Sequence, residues 1–239
     1  MLKEALRYLM EDMSIVNMKE INGEYFADRP MNRISYNPKA SPISLNTLSS
    51  LIDYIKAGVD EMHGKMIVHV QSPTKVQFYS SLDDERKREC IAEVTAQIPD
   101  FRFGQFYDHE SFCIGLQSKF VDDPATDRAL LLKFAGTVEA GTVAEYGDDG
   151  ITQKATVKTG IASKGEAIIP NPVTLKPFRT FVEVEQPDSR FIFRMQDRGG
   201  IQCALFEADG GAWKLDAMTA IHDFLEENLK DIENIVVIS

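Results

Sequence analysis

Residues 170–213 read PNPVTLKPFRTFVEVEQPDSRFIFRMQDRGGIQCALFEADGGAW, the densest run of strand-forming residues in the chain. Residues 181–184 and 191–195 are β-branched and aromatic, and Gln186-Pro187-Asp188-Ser189 lies between them. Proline presets φ for a turn and aspartate bonds its own backbone, so the spacing predicts a hairpin centred on Pro187 and Asp188. In that register Glu185 faces Arg190 and Val184 faces Phe191. Val182, Val184, Phe191 and Phe193 then form an apolar face, with Glu183, Glu185, Arg190 and Arg194 on the other.

A third strand, 201–206, follows Arg198-Gly199-Gly200. The break Glu207-Ala208-Asp209-Gly210-Gly211 leads into a helix. Trp213, Ala217, Ile221, Phe224 and Leu229 recur at helical spacing, so one face is apolar. The unit is three strands and a helix, with Trp213 expected at their junction.

Working outward, 239 residues suffice for one large domain or two small ones. The net charge is −11: the first 122 residues carry 14 basic and 18 acidic groups and the remainder 12 and 19. Both halves are acidic, which argues against a protein held to nucleic acid mainly by phosphate neutralisation. Cys90, Cys113 and Cys203 are far apart and form no CxxC, which points to a reducing cytoplasm. No apolar run reaches the roughly 20 residues that span a bilayer. A soluble, cytoplasmic protein without membrane contact is expected.

In chain order, residues 2–13 form an amphipathic stripe (Leu2, Leu6, Leu9, Met13) that can dock on the body or on a neighbouring subunit. Asn22-Gly23 predicts a hairpin between 15–21 and 24–26. Residues 32–40 read as an exposed connection. A helix is expected from Ser44 to about residue 62, apolar at Leu45, Leu48, Leu51, Ile52, Ile55 and Val59, and ended by Gly64. Residues 66–70 and 75–79 are strands around Ser72-Pro73-Thr74, and 90–98 fits either a third strand or a helix, with strand the favoured reading. Asp108 caps a helix to Phe120, and Asp123-Pro124 begins another that ends near Gly136. Residues 142–146 and 151–161 form a hairpin through Asp148-Asp149-Gly150.

No GxGxxG, GxxxxGK[ST], HExxH or GxSxG is present, and no catalytic residue, cofactor site or metal site is assigned. Several candidate binding groups stand out. Glu207 and Asp209, beside paired glycines and a helix start, can bind a cation; the plainer reading is a β–α turn with Asp209 capping the helix. Arg179, Arg190, Arg194 and Arg198 share one β region and can bind phosphate, although Glu183 and Glu185 are placed to neutralise them. In DFRFGQFY (100–107), Arg102 and Phe103 can stack bases; aromatics at a strand–helix corner also read as core. His109, Glu110 and Cys113 can touch one metal from a helix face, but they lack a partner cluster.

The phrases DDGITQ (148–153), FRTFVEVEQPDSRFIFRM (178–195) and ALFEADGGAWKL (204–215) resemble the YfdQ-like phage and prophage family, as do TLSSLIDYIK (47–56) and PDFRFGQFYD (99–108). The resemblance covers the chain from about residue 44. It implies a viral context and assigns no activity and no catalytic residue.

The expected fold class is α+β: mixed or antiparallel sheets built from hairpins, about four to five flanking helices, and a β-rich C-terminal half closed by a C-terminal helix. The expected organisation is an arm over 1–43, an α+β region over 44–122 and a β-rich region over 123–239, the last two open to being one domain. The leading functional expectation is a non-enzymatic phage protein that forms a homo-oligomer and binds a ligand or partner. The alternatives are a counter-defence protein that sequesters a host nucleotide signal or host protein, and an accessory nucleic-acid-binding protein in phage recombination or replication. An enzyme is the least favoured class.

Overall fold

The computed structural model describes residues 3, 18–21, 24–27, 39–60, 64–83, 85–140, 142–148, 153–159, 163–169 and 171–239. The chain divides into two compact units, 1–39 and 40–239. In the first, β1 (Met18–Ile21) and β2 (Glu24–Ala27) pair antiparallel with Ile21 opposite Glu24. This is the two-residue connection that Asn22-Gly23 predicts. The helix read at 2–13 lies outside the described residues but for Lys3, and the connection at 32–40 lies outside them but for Lys39 and Ala40.

The second unit is α+β, as expected. Its strands begin with β3 (Ile43–Leu45), β4 (Met66–Ser72), β5 (Lys75–Tyr79) and β6 (Cys90–Thr95). These join a last strand, β14 (Ile235–Ile238), in a five-stranded mixed sheet of order β14-β4-β5-β6-β3. The outer pairs β14–β4 and β3–β6 are parallel and the inner pairs antiparallel. Alternation puts Met66, Val68, Val70, Val76, Phe78, Ala92 and Val94 in one core. Two helices pack on that core: α1 (Leu48–Ala57), through Leu48, Leu51, Ile52 and Ile55, and α4 (Trp213–Leu229), through Ile221, Leu225 and Leu229.

Helix α1 is shorter than the sequence suggests. Thr47 caps it by accepting from Ser50 N at 3.1 Å, and Gly58, at φ 57°, ends it in place of Gly64. Val59 lies beyond that stop and is 73% exposed. The residues before the cap, starting at Ile43, extend into β3.

A second sheet is antiparallel, of order β11-β12-β13-β7: β11 is Val173–Leu175, β12 Ser189–Asp197, β13 Ile201–Glu207 and β7 Tyr107–Asp108. Its core gathers Val173, Leu175, Phe191, Phe193, Cys203 and Leu205 beneath α2 (His109–Ser118) and α3 (Arg128–Ala140). Asp108 caps α2 by accepting from Ser111 N at 2.9 Å, as read from the sequence. Helix α3 starts at Arg128 and not at Asp123-Pro124, because the Asp123 carboxylate takes Ala125 N and its carbonyl takes Thr126 N. That closes a turn first. Strands β8 (Thr142–Asp148), β9 (Gln153–Thr159) and β10 (Ser163–Ile169) form an antiparallel meander. Its first hairpin was expected; β10 was not, because Gly and Lys interrupt its apolar pattern.

The decisive stretch is where the structure departs most from the reading. Residues 181–184 form no strand. The partner of β12 on that side is β11, with Val173 opposite Phe191 and Leu175 opposite Ser189. Segment 176–188 is therefore a wide loop between paired strands, and Val184 does not face Phe191. The cause is Gln186, whose buried side chain serves the backbone. Its Oε1 accepts from Arg179 N (2.9 Å) and Thr180 N (3.2 Å), and its Nε2 donates to Phe181 O (2.9 Å). Those groups are lost to any strand ladder. Phe181 is buried in the first core, whereas Val182 is 71% exposed. The Arg198-Gly199-Gly200 hairpin between β12 and β13 does form, with Asp197 opposite Ile201.

These contacts predict that Gln186→Leu loses about 2–4 kcal/mol in urea unfolding, since it strands two buried backbone N–H groups, while Val182→Asp stays within about 0.5 kcal/mol of the parent. A Val182→Asp variant as damaged as Gln186→Leu restores the hairpin reading.

Candidate functional site

Arg179, Glu207, Asp209 and Trp213 meet at one point. Arg179, 5% exposed, leaves the loop 176–188 and places its guanidinium 3.8 Å from the centre of the Trp213 ring. The Phe191 and Phe103 rings lie at 5.6 and 5.9 Å. Nη1 donates to Glu207 Oε1 at 2.7 Å and Nη2 to the Ser189 hydroxyl. Asp209 Oδ2 is 3.7 Å from Nη2, within Coulombic reach but too far for a hydrogen bond. Burial pushes the Arg179 pKa down from its usual value, and Glu207 followed by Asp209 oppose that shift. Guanidinium basicity is high enough that the group stays charged.

The elements explain this convergence. Glu207 ends β13, and Asp209 sits in the turn to α4, where Gly210 and Gly211 take φ of 64° and 83°. Asp209 Oδ1 accepts from Gly211 N at 2.9 Å and the Asp209 carbonyl from Ala212 N at 3.2 Å. Asp209 thus shapes the turn. It does not cap the helix as the sequence suggests: Ala212 holds the cap position, with no side-chain cap bond. Helix α4 begins at Trp213, where the glycine pair predicts. Trp213 is half-buried under Arg179 rather than sealed in the core.

Beside this cluster opens a cleft of about 210 Å³, lined by Thr174, Asp188, Ser189, Arg190, Asp209, Ala212, Trp213 and Asp216. Lys176 is bonded to Asp123 at 2.8 Å and Glu185 at 3.1 Å, and lies 3.7 Å from Asp188, which lines the cleft. The Asp123 hydrogen bond, then the Glu185 one, raises the Lys176 pKa; the same bond to Lys176, then Ala125 N, lowers that of Asp123.

The other candidates fall differently. Arg190 is exposed on the cleft lining. Arg194 sits farther along β12, opposite Ala204, and donates to Phe193 O at 3.1 Å. Arg102 is exposed beside Asp100 at 3.5 Å. Phe103 stacks on Phe191 at 4.9 Å with the rings 20° apart, and Phe101 and Tyr107 join the same core. The aromatic loop is packing, therefore, and not a flat platform for bases. A Cβ at Gly115 would come within 3.0 Å of Phe101, so this packing also explains a small residue in α2. His109 and Cys113 contact each other at 3.6 Å across one helical turn. Among the described residues the one trio spaced for a metal is His222, Asp223 and Glu226, on the outer side of α4 with both carboxylates exposed.

Sequence reasoning missed Ser189, Asp188, Asp216 and Gln186. Asp216, in the first turn of α4, was the legible one, because acids are favoured there. The rest depended on a loop geometry that the hairpin reading hid. Comparison with family models, curated proteins and solved structures gives no match. No helix among the described residues is long and apolar enough to cross a membrane.

Two outcomes follow. Arg179→Met should cost about 3 kcal/mol in chemical denaturation, because Glu207 and Asp209 lose their counter-charge, and a variant as stable as the parent would mean the cluster is only decorative. The second concerns acid. The folded Asp123 pKa is depressed, so its stabilisation is present above the unfolded value of about 3.9 and lost as pH falls through the folded value. The Tm gap between parent and Lys176→Met should therefore narrow from pH 5 to pH 2, and a constant gap across that range would remove the pair from the acid response.

Proposed function

We propose that this chain is a non-enzymatic protein that assembles with copies of itself and offers the cleft beside Trp213 to a ligand, in the phage context that the family resemblance implies. The observation that supports it best is β14. Among the described residues this strand ends the five-stranded sheet, and Val236 and Ile238 are each 43% exposed on it. An edge strand carries unpaired backbone groups, and proteins usually blunt it with lysine, proline or a bulge. Ile235–Ile238 has none of these. The opposite edge, β3, has three residues and follows Pro42.

The occupant best suited to β14 is another β14. Antiparallel pairing about a twofold axis sets the same uncharged residues against each other. Two chains that each carry a net charge of −11 then meet without charged side chains along the joined strands. The site fits a binding role in the same way. Its carboxylates act as counter-ions to Arg179, and a lining with three aspartates disfavours a phosphate-bearing nucleotide.

Light scattering at micromolar concentration tests the assembly. The parent chain should run as a dimer or larger, and Val236→Lys/Ile238→Lys as a monomer with stability within about 0.5 kcal/mol of the parent. A monomeric parent, or an unchanged mass in the double variant, overturns the β14 contact.

A further inference from the structure

We infer that Cys113 is a nucleophilic thiol, activated by His109, that forms a reversible mixed disulfide with a low-molecular-weight disulfide. Neither the assembly at β14 nor the cleft beside Trp213 enters it.

The pair lies on α2. His109 opens the helix and Cys113 follows one turn later, the spacing that puts two side chains on one face. The Cys113 sulfur stands 3.6 Å from His109 Nε2. Phe112, before Cys113, is fully buried, and Ile114, after it, is 56% exposed, so the thiol sits at the rim of the packed face. It is half-buried and within reach of solvent. Asp108 caps the turn that carries the imidazole, accepting from Ser111 N at 2.9 Å.

The other two thiols have different surroundings. Cys203 is wholly buried on β13, where burial and then Cys113 push its thiol up to about 12. Cys90 is half-buried like Cys113, but burial and then the Glu93 carboxylate push its thiol up. The thiolate is the nucleophile, and a base in contact with the sulfur generates it. An imidazole touches Cys113, whereas the neighbour that raises Cys90 is an anion. Other titratable groups beside the pair are Asp108 and Glu110, exposed in the same turn, and Cys203, set against Cys113 from β13. Arg128 of α3 is committed to Leu116 O at 2.8 Å and to the Asp122 carboxylate. His109, Glu110, Cys113 and Cys203 supply no trio of metal-ligand spacing among the described residues, so the contact serves proton transfer.

The step balances with the disulfide as its only co-reactant. Nε2, in the tautomer protonated at Nδ1, takes the Cys113 S–H proton. The thiolate attacks one sulfur of R–S–S–R, and the Cys113–S–S–R bond forms as the old S–S bond breaks. The departing RS⁻ takes the proton from the imidazolium. A second small thiol reverses the exchange.

Incubation of the folded full chain with oxidised glutathione, followed by peptide mass mapping, reads the rate at each cysteine. At pH 7 Cys113 should gain the adduct about tenfold faster than Cys90, with Cys203 unmodified. His109→Gln should slow Cys113 about fivefold at pH 7 and leave it unchanged at pH 10, where the thiol ionises without a base. A Cys113 rate no faster than that of Cys90 overturns the inference. So does an unchanged pH 7 rate in His109→Gln, which would make the contact packing only. Adducts on Cys203 in His109→Gln would mark an unfolded variant, and the parent's pH profile then decides. A Cys113 rate that inflects below the ordinary thiol value of about 8.5 supports the activated thiol, and one that inflects at or above it overturns it.

Discussion

The fold depends on one side-chain amide. Gln186 is hydrogen-bonded to the backbone at Arg179, Thr180 and Phe181, and it fixes the path of a segment that crosses between two hydrophobic cores. Arg179 faces the Phe103–Phe191 stack of the second core; two residues later Phe181 is buried in the first. Thr180 between them bonds to Pro73 O at 2.5 Å, on the tight turn joining β4 to β5. A backbone in that path cannot pair with a strand, so its polar groups need other partners. Gln186 is that partner.

The crossing also accounts for a buried arginine. Desolvating a guanidinium is expensive unless its donors are used. Here two carboxylates, a serine hydroxyl and the face of an indole surround it. The arrangement leaves one oxygen of Asp209 and one guanidinium nitrogen, Nε, without hydrogen bonds. Incomplete satisfaction at a cleft wall is the kind of local inconsistency that binding sites tolerate and pure cores avoid.

Much of the fold was legible where the pattern was local. Asn22-Gly23, Ser72-Pro73-Thr74, Asp108 as a cap and Gly210-Gly211 as a helix-start turn each state their geometry in two or three residues. The α+β class followed from these signals together. What failed was non-local. The run 181–184 alternates like a strand, yet Pro177 and Pro187 bracket it and the Gln186 side chain outcompetes any ladder, a choice no short window reveals. Strand β14 was missed because four apolar residues after a helix carry no period, and its partner, β4, lies far back in the chain. At the site, Arg179, Glu207, Asp209 and Trp213 were readable by type. That they converge depended on the same loop, so Ser189 and Asp188 stayed hidden with it.

The parallel pairing of β14 with β4 has a consequence for how the protein is made. Met66 and Ile235 are neighbours across the sheet but are separated by most of the second unit. During synthesis, β4 and β5 emerge early and pair as a hairpin, while the far side of β4 stays bare until the last strand arrives. Phe181 and α4 reach the first core late as well, so that core cannot close in the order of translation. Such non-local closure is slow. On a ribosome crowded with identical chains, the bare edge of β4 is a strand-binding surface that the finished molecule no longer has.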